Sequence, residues 1–364
     1  MNPFITGEII LYRQFDVGYE ILLDKAFDYL LSSAPERRKP IRGEASAIQI
    51  PNLPVTVHLG SESLSMPGHA HGVEISARLF DFGVISLRAK LTVPRMSWDE
   101  LCTLGTEIGQ GPVTFFEGCL DRLLQRIQPA VIRIGRAPVT EEYMVYRVHQ
   151  LEEANGAAYP IGALSEENIA RLLLSESRPL SPGARADLLS PRFSYYEDDL
   201  AVLTWSAALV VEPVVADTDV QYVLEFANAQ LLELRFHDAV LDGELPRTYD
   251  EIADARRGFH LLGRRFSRLL SVLQTRVADA TEAVERVDNS LKVTDDVYLA
   301  RIYAAALDIF RGPTWRRGID RKVAIIRDAY TMLNAESQAR RTEILELIII
   351  VLIAVEIALA LIWR

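Results

Sequence analysis

Three groups of side chains have the types and spacing to do chemistry. His69 and His71, in the run Gly-His-Ala-His-Gly, offer two imidazoles to a metal. A zinc site needs three or four ligands, and no cysteine or carboxylate stands at helical or hairpin spacing beside them, so a solvated loop is the plainer reading. Glu197, Asp198 and Asp199 follow Tyr195 and Tyr196 and could hold a divalent cation or share a proton as an acid and base. The same carboxylates also suit a polar turn before a strand. Asp288, Asn289 and Lys292, with Asp295 and Asp296, form a polar corner. Asn, Ser and Asp side chains cap helix ends at such corners, and the group could also present a partner surface. Arg316, Arg317, Arg321 and Lys322 make a basic stripe, but Asp320 and Asp328 interleave with it as in a salt-bridged solvated face. No phosphate-cradling loop, nucleophile elbow or dinucleotide fingerprint occurs, so no catalytic residue, metal or cofactor is nominated.

The elements that would position these groups change character near Asp217. Before it, β-rich runs (Glu8 to Arg13, Val73 to Phe82, Val84 to Val93, Tyr143 to His149, Leu200 to Trp205, Ala207 to Val211) alternate with helices. Ser97 with Glu100, and Thr114 with Glu117, have the spacing of capping boxes. Stretches 33–43, 60–72 and 175–191 read as loops because Pro, Gly and Ser interrupt every periodicity there. A βαββα order occurs twice, which predicts two related α+β units with antiparallel sheets, over residues 1–135 and 136–246. Residues 247–341 read as a helical stalk or bundle: Thr248 and Glu251 cap one helix, and Ile319, Val323, Ile326, Tyr330 and Leu333 keep a 4-3 spacing in another. From Pro313 that last helix has the composition to continue unbroken to the end, about 75 Å for 50 residues.

The apolar run Ile344 to Trp363 reads as a transmembrane tail anchor, flanked by Arg340, Arg341 and Arg364. MNPFITGEII has neither a signal peptide's pattern nor a transit peptide's composition, which predicts an inner-membrane protein with its body in the cytoplasm. Two cysteines without metal or disulfide spacing agree with a reducing compartment. The net charge of -11 divides unevenly, with +5 over residues 247–341 and -14 before them. An acidic head argues against nonspecific nucleic-acid binding. Glu356 interrupts the apolar run and is costly facing lipid. Its helical neighbours Ile353 and Ala360, with Ile326 and Leu333 in the stalk, are therefore the expected contacts of a homo-oligomer.

VDNSLKVTDDVYLARIYAAALDIFR, PTWRRGIDRKVAIIRDAYTMLN and the acidic-flanked terminal run resemble the "required for meiotic nuclear division" (YagE-like) family of domains of unknown function. The resemblance covers most of residues 190–364, and the absent transit peptide points to a bacterial-type member. It implies a homo-oligomer on an inner membrane with translation machinery, such as the ribosome, as a partner, and it supplies no catalytic residues. The expectation is a tail-anchored oligomeric scaffold or tether. The competing class is a membrane-anchored hydrolase or metal-dependent enzyme using the His69/His71 or Glu197–Asp199 groups.

Overall fold

The computed structural model describes residues 2–36, 52–66, 69–257 and 296–362, apart from short gaps at 112, 136, 138, 176–177 and 214–218, together with scattered positions between 271 and 285. Two compact units emerge, one of residues 1–236 with 287–314 and one of residues 237–286 with 315–364.

The first unit is built on one eight-stranded sheet in the order β3-β4-β5-β1-β7-β10-β9-β8. Its long central strands are β1 (Phe4–Asp16), β5 (Val84–Ser97) and β7 (Thr140–Glu152). β3 (Val55–Met66) and β4 (His69–Leu79) extend one side. β8 (Arg192–Phe193), β9 (Leu200–Leu203) and β10 (Ala207–Val211) extend the other, and β2 (Glu20–Ile21) with β6 (Val131–Ile132) forms a small separate ladder. The two halves expected from the βαββα echo thus share one sheet, through antiparallel pairing of β1 with β7. The echo survives in the order of strands but not in their sense, since β1 and β5 are antiparallel while β7 and β10 are parallel.

Strand alternation sends successive side chains to opposite faces. Ile5, Ile9, Leu11 and Phe15 of β1, with Leu87 and Ala89 of β5, point into an apolar core. Helices α1 (Leu23–Leu30), α2 (Trp98–Gln110), α3 (Phe115–Ile127) and α4 (Glu166–Leu174) supply its other wall through Leu30, Trp98, Leu120 and Ile169. Gln14, Asp16, Arg78, Ser86, Glu141 and Arg147 stand on the opposite face and are buried as well. Further helices among the described residues are α5 (Pro182–Leu188), α6 (Asp219–Arg257), α7 (Val297–Ile309) and α8 (Gly312–Ile362).

Several local expectations change. Residues 60–66 and 69–72 are strand rather than loop: β3 and β4 pair from Val55↔Leu79 to Met66↔His69, with a register shift at His58/Gly60. Gly60, at φ +103°, takes the left-handed backbone that this bulge requires, and its neighbouring serines pair through their backbones regardless of side chain. Ser97 and Glu100 do form a reciprocal capping box, whereas the Thr114 side chain makes no cap bond. Thr248 begins no helix, because α6 runs through it with Pro246 inside.

The predicted transmembrane segment is not upheld. No helix among the described residues is long and apolar enough to cross a membrane. The exposed side chains described near the end of α8 run from 345 to 359, fifteen positions that include Glu346 and Glu356, against about 20 apolar residues for a span. The inference of a single-pass inner-membrane location loses its basis. So do the tail-anchored scaffold and the membrane-anchored enzyme built on it.

Candidate functional site

The sheet's second face carries a buried charged layer whose ligands come from α6. Arg78 on β4 forms an ion pair with Glu225 and stacks over the Tyr222 ring, with 4.9 Å from its guanidinium carbon to the ring centroid. Its Nε also donates to Thr56 Oγ1 at 3.3 Å. Register explains the grouping: Arg78 faces Ser86, and Ser86 and Glu141 each face Gln14, so the four lie in one row across β4, β5, β1 and β7. Gln14 Nε2 donates to the Glu225 carbonyl oxygen at 2.8 Å, and Arg235 donates to Glu141 at the row's far end. Asp16 ends the face beside Glu233. Burial, and then the Glu233 charge, push its carboxyl up to about 8, against the opposing hydrogen bond from the Gly18 N–H. At neutral pH Asp16 therefore holds its proton. The layer is closed to solvent, with Gln14, Arg78 and Glu225 all nearly inaccessible, so it can position α6 but cannot receive a substrate as it stands.

The apolar face opens instead into a cleft of about 390 Å³ at the end of α2. Leu11, Ile108, Phe116, Met144 and Leu173 give it apolar walls, interspersed with the polar Thr106, Gln110, Ser175 and Ser206. Arg13 and Glu142 are its charged groups; they pair with each other, and Arg13 Nη1 also donates to the Val113 carbonyl oxygen at 3.2 Å. The Tyr146 phenol reaches α2 at Gly105, where a Cβ would stand 2.2 Å from the hydroxyl oxygen, so only glycine admits it. Burial holds that phenol well above its usual range, and it remains a hydroxyl.

The sequence-nominated groups are scattered. His71 lies on β4 opposite Leu64, and His69 starts that strand opposite Met66. Asp199 is buried and accepts the Tyr195 N–H at 2.7 Å, a turn-closing role, while Glu197 and Asp198 are exposed. Among the described residues no three His, Cys, Asp or Glu side chains are placed to hold a metal ion. Asp296 caps α7, accepting from the N–H groups of Tyr298 and Leu299; Asp288, Asn289, Lys292 and Asp295 lie outside the described residues. Lys322, from the basic stripe, pairs with Asp238 and Asp242 inside the second unit. Ile326 is buried there, Ile353 and Glu356 are exposed, and the side chains of Leu333 and Ala360 lie outside the description. Sequence reasoning missed the charged layer and the cleft. The available signal was the set of polar residues on one side of β1, Glu8, Tyr12, Gln14 and Asp16, interrupted at Ile10, which reads as a solvated face until α6 covers it.

Comparison with known proteins gives a relative and a family but no activity. An uncharacterized protein, MJ0711 of Methanocaldococcus jannaschii, is 26% identical over 175 residues, 48% of this chain and 53% of that protein. The chain thus spans about half the length of that relative. No solved structure matches. Neither match bears the "required for meiotic nuclear division" name that the C-terminal blocks suggest. Residues 6–218, which hold all of the eight-stranded sheet but the first two residues of β1, match the family described as "Uncharacterized protein MJ0711, N-terminal domain", and the chain belongs to that family.

Proposed function

We propose that the chain is a binding protein that works as an assembly of identical copies joined through the end of α8. The observation that carries this reading is the exposure of eleven large apolar side chains between Leu345 and Leu359, each about half exposed or more. Soluble monomers rarely leave so large a contiguous apolar surface uncovered. Leu345, Ile349, Leu352, Glu356 and Leu359 follow a 4-3-4-3 spacing, the seam of a helical coil. Covering four such half-exposed residues per copy is worth roughly 1 kcal/mol each, so a pair of helices gains about 8 kcal/mol gross. That is comparable to the roughly 4–15 kcal/mol cost of association, and a bundle that also covers Ile348, Ile353 and Val355 is favoured over a pair. A polar Glu356 at a seam position would fix register and copy number at a cost in stability. The "required for meiotic nuclear division" resemblance of the C-terminal blocks supports the same reading, since it implies homo-oligomers.

Sedimentation of the full chain in buffer without detergent tests this. Expected is a concentration-dependent oligomer that Ile349→Asp with Leu352→Asp returns to monomer, while Glu356→Leu tightens the assembly and mixes its stoichiometry. A chain that is monomeric at every concentration, or that comes together only around added detergent or lipid, would overturn the reading. A protein partner, for which the resemblance points to translation machinery, is tested by crosslinking in cells and identifying what co-purifies.

A further inference from the structure

The cleft at the end of α2 carries an inference independent of assembly. Arg13 and Glu142 face each other in register on β1 and β7, and both line the cleft. Arg13 is held in the wall: its Nη1 donates to the Val113 carbonyl oxygen, and its guanidinium lies over the Phe116 ring at 5.5 Å. Glu142 takes Nη2 alone. Nε, the second donor on the same edge of the guanidinium, is buried and has no hydrogen-bond partner among the described residues. A carboxylate fits such an edge with two parallel hydrogen bonds, so this one is met by half. The Glu142 side chain is 61% exposed against 19% for Arg13, so the cation is fixed while its present partner is free to swing aside. The rest of the wall has the opposite polarity. α2 closes there with Gly109, Gln110 and its C-cap Gly111, and α4 with Leu173 and its C-cap Ser175. Each helix C-terminus carries roughly half an elementary negative charge, which favours a cation. A guest that is only an anion would displace Glu142 and leave it unpaired beside two carbonyl ends. A guest that is only a cation would leave the Arg13 edge half-filled. A zwitterion meets both needs without changing the net charge of the cleft. The volume, about 390 Å³, falls within the roughly 300–1,000 Å³ of small-molecule sites.

We propose that this cleft binds a free α-amino acid with an apolar side chain. The carboxylate takes the Nε and Nη2 edge of Arg13, the ammonium takes Glu142 and the carbonyl ends of α2 and α4, and the side chain lies against Ile108, Phe116 and Met144. Ligand-observed NMR on the full chain tests this with L-leucine and L-phenylalanine, with 4-methylpentanoate, which is leucine without its ammonium, and with isopentylamine, which is leucine without its carboxylate. L-Leucine should bind roughly tenfold or more tighter than either truncated probe, the worth of a charge-assisted hydrogen bond. Glu142→Gln alters one exposed side chain and should melt within a few degrees of the parent. It should weaken L-leucine about three- to tenfold yet strengthen 4-methylpentanoate by up to about fivefold, because the Arg13 edge loses a competing ion pair. Arg13→Lys keeps the charge but lacks the two-donor edge, so it should weaken L-leucine and 4-methylpentanoate roughly tenfold and spare isopentylamine. The proposal is overturned if 4-methylpentanoate binds as tightly as L-leucine, which would make the cleft a carboxylate site, or if isopentylamine does, which would make it a cation site. It is equally overturned if Glu142→Gln leaves L-leucine affinity unchanged, or if neither amino acid binds at millimolar concentration.

Discussion

The two faces of the central sheet are buried to similar depth and held by opposite means. Toward α1–α4, Ile5, Ile9, Leu11, Phe15, Leu87 and Ala89 interlock with apolar helix faces, a contact that is tolerant of small shifts because dispersion and burial have no direction. Toward α6, Arg78 meets Glu225, Glu141 meets Arg235, and Gln14 meets a helix carbonyl, contacts that fail if α6 slides by one residue. Buried ion pairs of this kind seldom add net stability, because desolvation cancels most of the attraction, but each partner is costly to remove alone. The first face supplies stability and the second fixes where α6 lies.

The largest effect should come from breaking the charged face on one side. Arg78→Ala strands Glu225 and should cost about 3–5 kcal/mol in denaturant unfolding, whereas Arg78→Met combined with Glu225→Leu should be near neutral or stabilising. A cost under about 1 kcal/mol for Arg78→Ala would erase the contrast between the faces. Next is pH. The folded pKa of Asp16, about 8, lies above the ordinary 3.8, so the fold binds that proton more tightly than the unfolded chain does. Its contribution is complete below about pH 4 and is lost as pH rises through 8, and Asp16→Asn should flatten that dependence in melting curves measured from pH 5 to 9. A parent protein whose melting temperature is level over that range would show that Asp16 and Glu233 do not share a desolvated site. On the apolar face, Ile9→Val should cost only about 0.5–1.5 kcal/mol in the same unfolding measurement, the loss of one methylene. The smallest effect belongs to Arg171, which meets Asp99 between α4 and α2 at 2.9 Å with both side chains about half exposed. Arg171→Ala should change stability by at most about 1 kcal/mol and lose even that in high salt, in contrast to Arg78.

Much of the local structure was legible. The Ser97 and Glu100 capping box opens α2 as read, because its two bonds lie within four residues. Strand alternation in β5 and β7 was visible for the same reason, as was the unbroken course of the last helix from its lack of Gly or Pro after Gly318. Local signals misled where a neighbour overrode them. Ser61, Ser63 and Ser65 look like loop residues, yet they stand on a strand because β4 supplies their backbone partners. Pro246 looks like a helix boundary, yet α6 includes it at the cost of the hydrogen bond its nitrogen cannot donate.

The sequence by itself determined the mixed α/β class, the caps and the two periodicities, since each of these is written in residues a turn or a strand apart. It also determined that residues 344–362 form an apolar helical run, though not what that run meets. Only the tertiary structure decided that β1 and β7 join the two halves in one sheet, and that alternate polar residues of β1 lie in an interior. Arg78 and Glu225 are 147 residues apart, Gln14 and the Glu225 carbonyl 211. A side chain's own identity cannot tell a solvated carboxylate from one kept neutral in a closed layer, because that depends on whichever distant segment comes to cover it.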